Sequence, residues 1–293
     1  MKIFEGVFTA LVTPFSNGSV DYDTFEKLVT RQIEQGIHGL VPLGSTGEAA
    51  TLTMAEREEI LKITVRLADG KLPVIAGVGT NNTATTIENT RQAKDLGADA
   101  AMLMAPPYSK PSQEGIFAHF EAVAKAVDIP LVAYNVPGRT VANILPATVK
   151  RLSDAGLIVA LKEASGDLMQ VSEIMRTVGD KISVLSGDDF FLYSYMGLGV
   201  KGLISVCSNL LPRRTAEVYE RFIAKDWKAS REIQFELFPV MQALFIETNP
   251  TPVKAALSML DLCKPEMRLP LVEMAEENLE ALRDVLKDKQ IIK

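Results

Sequence analysis

The sequence predicts an α/β protein: a TIM-type (β/α)8 barrel over residues 1–227, with a C-terminal helical extension over 228–293 packed on it. Three observations carry this. Eight short apolar runs alternate with longer amphipathic patterns, the signature of βα units and a parallel sheet. Near Trp227 the alternation stops, and only helical patterns follow. The turn after the first strand reads Thr13-Pro14-Phe15-Ser16-Asn17-Gly18, with no GxGxxG, the fingerprint that an open sheet holding a dinucleotide shows at that place. A barrel of 293 residues is readily one domain.

Strands are expected to begin near Gly6, Gly39, Leu72, Ala100, Ile129, Leu157, Lys181 and Gly202. Met1-Lys2-Ile3-Phe4-Glu5 reads as the lead into the first strand, because Glu5 interrupts the apolar stretch and no small-x-small cleavage site follows. Thr53-Met54-Ala55-Glu56 and Asp167-Leu168-Met169-Gln170 carry helix-start signals, a side chain being placed to cap free backbone N–H groups. Helices are expected to stop at Gly36, Gly70, Gly97, Gly156 and Gly179, where a left-handed turn is inexpensive. In the extension, helices are expected over 229–246, 252–262 and 275–288, with Pro239 kinking or dividing the first.

Composition excludes several classes of function. Lysine plus arginine number 31 against 37 acids, a net charge of -6, and no basic run is interleaved with aromatics, so no nucleic-acid partner is expected. No apolar run approaches the ~20 residues that cross a bilayer, so no membrane partner is expected either. Cys207 and Cys263 are far apart without motif spacing, which fits a reducing, cytoplasmic compartment. His38 and His119 lie outside any metal-ligand spacing and read as structural; neither metal nor cofactor is expected.

In a barrel the C-terminal strand ends face one mouth, so the residues there become candidates for one pocket. Lys162 closes the apolar run Leu157-Ile158-Val159-Ala160-Leu161. A desolvated lysine loses its proton more easily, and the free amine forms a Schiff base with a carbonyl; the other reading is an ammonium reaching solvent at a strand end. Strand two ends in Gly44-Ser45-Thr46-Gly47-Glu48, where glycines let N–H groups approach a small carboxylate and Ser45 and Thr46 add donors, or where a tight turn feeds the next helix. Tyr134, polar within Leu131-Val132-Ala133, is either an acid/base beside the lysine or a core tyrosine bonded to a carbonyl. Arg139 is either a carboxylate clamp or a surface salt bridge. Pro106-Pro107-Tyr108 ends strand four and belongs to the same mouth. Asp188 and Asp189 are expected to cap the next helix, and Glu163 is expected to point away from Lys162.

Taken together, Gly44-Ser45-Thr46-Gly47-Glu48, Tyr134-Asn135-Val136-Pro137 and Leu161-Lys162-Glu163-Ala164 resemble the signatures of the pyruvate-dependent class I aldolases, the dihydrodipicolinate synthase and N-acetylneuraminate lyase family. The resemblance spans nearly the whole chain. Arg139-Thr140, Ser186-Gly187-Asp188-Asp189 and Asn249-Pro250-Thr251-Pro252-Val253-Lys254 are similar to its synthase branch. The resemblance implies a Schiff base between Lys162 and pyruvate, whose enamine attacks aspartate semialdehyde. It implies Tyr134 as acid/base residue, with Thr46 and Tyr108 completing a proton relay, Tyr108 coming from a neighbouring subunit of a tight dimer within a homotetramer. Ser45 and Thr46 would hold the pyruvate carboxylate and Arg139 that of the semialdehyde, with backbone carbonyls near Gly187 and Ile204 shaping the pocket. Ser45 departs from the threonine common in the synthases and is also found in sialic acid lyases, so a sister aldolase acting on a sugar acid is the alternative. A barrel that has lost catalysis is the third reading, against which the intact Lys162, Tyr134 and Thr46 argue.

Lysine-inhibited members of the family bind lysine through serine, histidine, asparagine, glutamate and tyrosine at positions that match Ala49, Met54, Asn81, Thr85 and Pro107 here, and only Asn81 fits. Weak or absent inhibition by lysine is therefore predicted. Turnover across a lysine titration checks this, and strong, saturable inhibition contradicts it.

Overall fold

The computed structural model describes residues 4–293, so Met1–Ile3 of the expected lead-in lie outside the described residues. Eight parallel strands form the barrel: β1 (Gly6–Ala10), β2 (Gly39–Val41), β3 (Ile75–Gly77), β4 (Ala100–Met104), β5 (Leu131–Asn135), β6 (Ala160–Glu163), β7 (Ser183–Ser186) and β8 (Gly202–Ser205). Hydrogen-bonded neighbours run β2-β1-β8-β7-β6-β5-β4-β3, and a bridge between Leu40 and Val74 brings β3 back against β2 to close the ring.

Four strands start two or three residues later than their apolar runs. In β3 and β5 the reason is a proline: Pro73 and Pro130 have no N–H to give the ladder, although their carbonyls accept from Leu40 N at 3.0 Å and Ala101 N at 2.9 Å. Side chains alternate across the sheet with period two. Phe8, Val41, Ile75, Met102, Val132 and Leu185 fill the barrel, while Val7, Leu40, Ala76, Leu103, Leu161 and Val184 pack beneath the surrounding helices. Crowding inside is tight, since a Cβ on Gly39 would come within 2.2 Å of the Phe8 ring.

The helix-start signals act locally as their chemistry requires. The Thr53 hydroxyl accepts from Glu56 N at 3.3 Å while the Glu56 carboxylate accepts from Thr53 N at 2.8 Å, and Asp167 accepts from Met169 N at 2.8 Å and Gln170 N at 3.2 Å. Gly36, Gly70, Gly97 and Gly156 end their helices with positive φ. Gly179 is different: its φ is -58, and its role is close approach, a Cβ there lying 2.6 Å from Met175 O. The two histidines serve the frame. His38 Nδ1 accepts from Val7 N at 3.2 Å, and His119 Nδ1 is 2.9 Å from the Thr83 hydroxyl.

Beyond the last barrel strand come the helices Pro212–Ile223, Trp227–Ala243, Thr251–Ser258 and Glu276–Asp288. Pro239 does not divide its helix, which continues through it. The carbonyl it deprives of a helical partner belongs to Phe235, an exposed residue. Among the described residues no helix is long and apolar enough to cross a membrane.

Asp189 corrects an expectation. Rather than capping the helix that follows β7, its fully buried carboxylate accepts from the Ser205 hydroxyl, from Val206 N at 2.9 Å and from Cys207 N at 3.3 Å, tying down the segment after β8. Asp188 sits at the cap position of the short turn Asp189–Phe191 and makes no side-chain cap bond there. Replacing Asp189 with alanine strands three buried donors and is expected to destabilise the fold by about 3 kcal/mol. Chemical denaturation of the variant measures this; a loss below about 1 kcal/mol would mean that the segment is held by other contacts.

Candidate active site

Lys162 is the last inward-facing residue of β6, and its neighbour in register on β5 is Tyr134. Alternation then puts Asn135 and Glu163, the next pair, outside the barrel. That outer pair is hydrogen-bonded throughout. Asn135 Nδ2 donates to Glu163 Oε2 at 3.0 Å and to Asn143 Oδ1 at 2.8 Å, Asn135 Oδ1 accepts from Ile144 N at 2.8 Å, and Ser165 N donates to Glu163 Oε1 at 2.8 Å. Burial raises the pKa of Glu163, and these donors oppose the rise. A satisfied polar network of this kind fixes the register of the two strands that carry the inner pair.

The inner pair faces a small cavity of about 60 Å³, lined among others by Ser45, Thr46, Arg139, Gly187, Asp188 and Asn249. It adjoins a larger cavity of about 540 Å³ that shares Ser45, Tyr134, Arg139 and Asn249. Lys162 is 7% exposed, and its amine lies 4.2 Å from the centre of the Tyr134 ring. Among the described residues it forms no salt bridge. Gly187 leaves space for it: a Cβ on that residue would stand 3.2 Å from Lys162 Cε and 2.6 Å from Ala164 Cβ.

Burial pushes the Lys162 pKa down to about 8, against the pull of the Asp188 carboxylate, which favours the ammonium. Asp188 is itself raised to about 6, chiefly by burial. Desolvation raises the Tyr134 phenol, which stays protonated across the physiological range. Its hydroxyl makes no hydrogen bond among the described residues and is free for a ligand. About a tenth of the lysine is thus a neutral amine at pH 7, a fraction that rises steeply toward pH 8, and a protonated phenol lies beside it.

The loop after β2 leaves two backbone amides unpaired among the described residues. Gly47 N and Ala49 N bond back to Gly44 O at 3.1 and 3.4 Å, and Glu48 N to Ser45 O at 3.1 Å, while the amides of Ser45 and Thr46 donate to nothing among the described residues. Asn249 Nδ2 donates to the Thr46 hydroxyl at 3.0 Å, and Arg139 Nη2 donates to Asn249 O at 3.0 Å. Asn249 Oδ1 has no partner among the described residues, although the residue is buried.

Ser45, Thr46, Tyr134, Arg139, Lys162 and Gly187 therefore meet in one place. Two expected residues do not join them. Ile204 lies deeper in the barrel and lines neither cavity. Tyr108 is 89% exposed on a backbone with φ 72, standing away from the site of its own chain. Sequence reasoning missed Asp188 as a cavity residue and gave no role to Asn249. The only available signal was their place within the Ser-Gly-Asp-Asp and Asn-Pro-Thr-Pro strings.

A closed parallel barrel with a desolvated lysine and a tyrosine at its mouth defines a lysine-imine enzyme, a lyase of the class I aldolase type. The chain belongs to the dihydrodipicolinate synthetase family, whose model matches residues 3–289. It is 48% identical over 291 residues to the 4-hydroxy-tetrahydrodipicolinate synthase of Thermodesulfovibrio yellowstonii, covering 99% of this chain and 100% of the relative. The crystal structure of dihydrodipicolinate synthase from Thermotoga maritima matches with a TM-score of 0.97 at 41% identity, covering 99% of this chain and 100% of that one. The enzyme from Acinetobacter baumannii, solved in complex with pyruvate, matches at 0.96 and 43% identity over 98% of this chain and 99% of that one.

Keeping Lys162 buried without an ion partner costs folding energy. Below pH about 8 the folded and unfolded states both carry the ammonium and the penalty is complete; between about 8 and the ordinary value of 10.5 the folded state sheds its proton and the penalty shrinks. Lys162→Met is expected to abolish activity while raising stability near pH 7 by on the order of 3 kcal/mol, a gain that fades as pH rises above 8. Denaturation of both proteins across this range checks it, and a gain independent of pH would refute the account.

Proposed function

We infer that this chain condenses pyruvate with L-aspartate 4-semialdehyde to 4-hydroxy-tetrahydrodipicolinate, the branch-point reaction toward diaminopimelate and lysine. The observation that carries this reading is the unpaired, desolvated amine of Lys162 facing a cavity with Tyr134 and two free loop amides, in a chain of this family. The neutral amine adds to C2 of pyruvate, and loss of water from the carbinolamine leaves an imine. The protonated imine draws electrons from C3, so departure of a C3 proton gives an enamine. Its C3 forms the new bond to the aldehyde carbon of the semialdehyde. The semialdehyde's amine then adds to the imine carbon, and Lys162 leaves as the free amine when the ring closes.

In this reading the Ser45 and Thr46 amides and hydroxyls hold the pyruvate carboxylate, and Arg139 holds that of the semialdehyde. Tyr134 moves the protons of carbinolamine formation and breakdown, passing them to the Thr46 hydroxyl that Asn249 orients. The exposure of Tyr108 supports its joining this relay from a second copy of the chain, in a tight dimer within a homotetramer. No metal enters the scheme, because the imine nitrogen is the electron sink.

Incubation with pyruvate followed by borohydride reduction is expected to add the mass of a reduced pyruvyl group to the Lys162 peptide, and Lys162→Met to abolish it. Absence of the adduct in the parent protein overturns the mechanism. Turnover of aspartate semialdehyde far above cleavage of sugar acids is expected, and the reverse order would make the chain a sugar-acid aldolase.

A further inference from the structure

One buried ion pair lies outside the chemistry described so far. Lys254 Nζ is 2.7 Å from Glu48 Oε1, the two side chains being 0% and 1% exposed. The other oxygen, Glu48 Oε2, accepts from Arg268 N at 3.2 Å. The amine of Lys254 lies 4.4 Å from the centre of the Phe15 ring, and the Arg268 guanidinium 4.5 Å from the same centre. An isolated ion pair at this depth is not retained for stability alone, since apolar replacement of both partners is commonly neutral or better. Its placement suggests another use. Glu48 directly follows the Ser45-Thr46-Gly47 turn and holds a left-handed backbone, φ 51, that a residue with a Cβ seldom adopts unaided. Lys254 rides on the helix Thr251–Ser258, immediately after Asn249, which bonds both Thr46 and Arg139.

We propose that the Glu48–Lys254 ion pair is a positioning element for substrate: it locks the end of the carboxylate-binding turn, so that the extension helix sets the aim of the Ser45 and Thr46 amides. This rests on the reading that those amides bind pyruvate. Neither member touches Lys162, and the charges that act on its amine are Asp188, Arg139 and Asp189. The pair therefore governs affinity for pyruvate and leaves the titration of the nucleophile alone, a combination that general loosening of the fold would not give.

The test is the double variant Glu48→Gln with Lys254→Met, which strands no charge and keeps an acceptor for Arg268 N. A cooperative melt is expected, with the KM for pyruvate raised at least tenfold, the KM for aspartate semialdehyde changed less than threefold, and the pH midpoint of borohydride trapping unmoved. A folded variant whose KM for pyruvate stays within twofold of the parent overturns the proposal, as does a shifted trapping midpoint. Should the variant not fold, hydrogen exchange of the parent decides. Pyruvate must slow exchange in 44–49 and 251–258 together, and protection confined to the first segment refutes the coupling. A parent protein that fails to trap pyruvate brings down the functional reading itself, whereas trapping by the parent with normal pyruvate binding by the variant brings down this proposal only.

Discussion

The register between β5 and β6 is the constraint on which the site depends. It sets Tyr134 beside Lys162 inside the barrel and Asn135 beside Glu163 outside it, and a slip of β6 by one residue would turn Lys162 outward and Glu163 inward. The outer layer holds a matched set of donors for the Glu163 carboxylate in Asn135, Ser165 and Gln170, which an inward turn would forfeit. Glu163 thus acts as a register lock, and the reactive amine is placed by the residue that points away from it.

Alternation also divides the two adjacent aspartates beyond β7. Asp188 turns to the cavity, where its charge restrains how far burial lowers the Lys162 pKa. Asp189 turns to the segment after β8 and is consumed by three donors. One neighbour acts on the Lys162 amine and the other holds the wall of the barrel. Buried carboxylates of the same type, side by side, are separated only by what their surroundings can donate.

Closure of the site from the C-terminal side follows the same economy. Asn249, Lys254 and Arg268 lie within 20 positions of one another in the sequence, and each bonds to the loop after β2 or the helix it feeds. The free amides of Ser45 and Thr46 are framed by groups more than 200 residues away along the chain, the Lys254–Glu48 separation being 206. The extension is therefore a structural part of the mouth of the barrel.

By itself the sequence determined the barrel, the strand ends that face its mouth, and Lys162, Tyr134, Ser45, Thr46, Arg139 and Tyr108 as candidates for one pocket, while Gly187 came from the family resemblance. These were legible because period-two burial and the direction of a parallel strand are local properties that fix which face and which end a side chain takes. The true starts of β3 and β5 depended on prolines at the edge of the ladder, and the continuity of the helix through Pro239 on where its unpaired carbonyl points. Only the tertiary structure decided the separate fates of Asp188 and Asp189, the depth of Ile204, the outward stance of Tyr108, the engagement of Asn249, and the union of Glu48 with Lys254. Each is settled by which distant segments meet when the barrel closes, and desolvation, which sets the cost of every unpaired polar group, exists only once they have met.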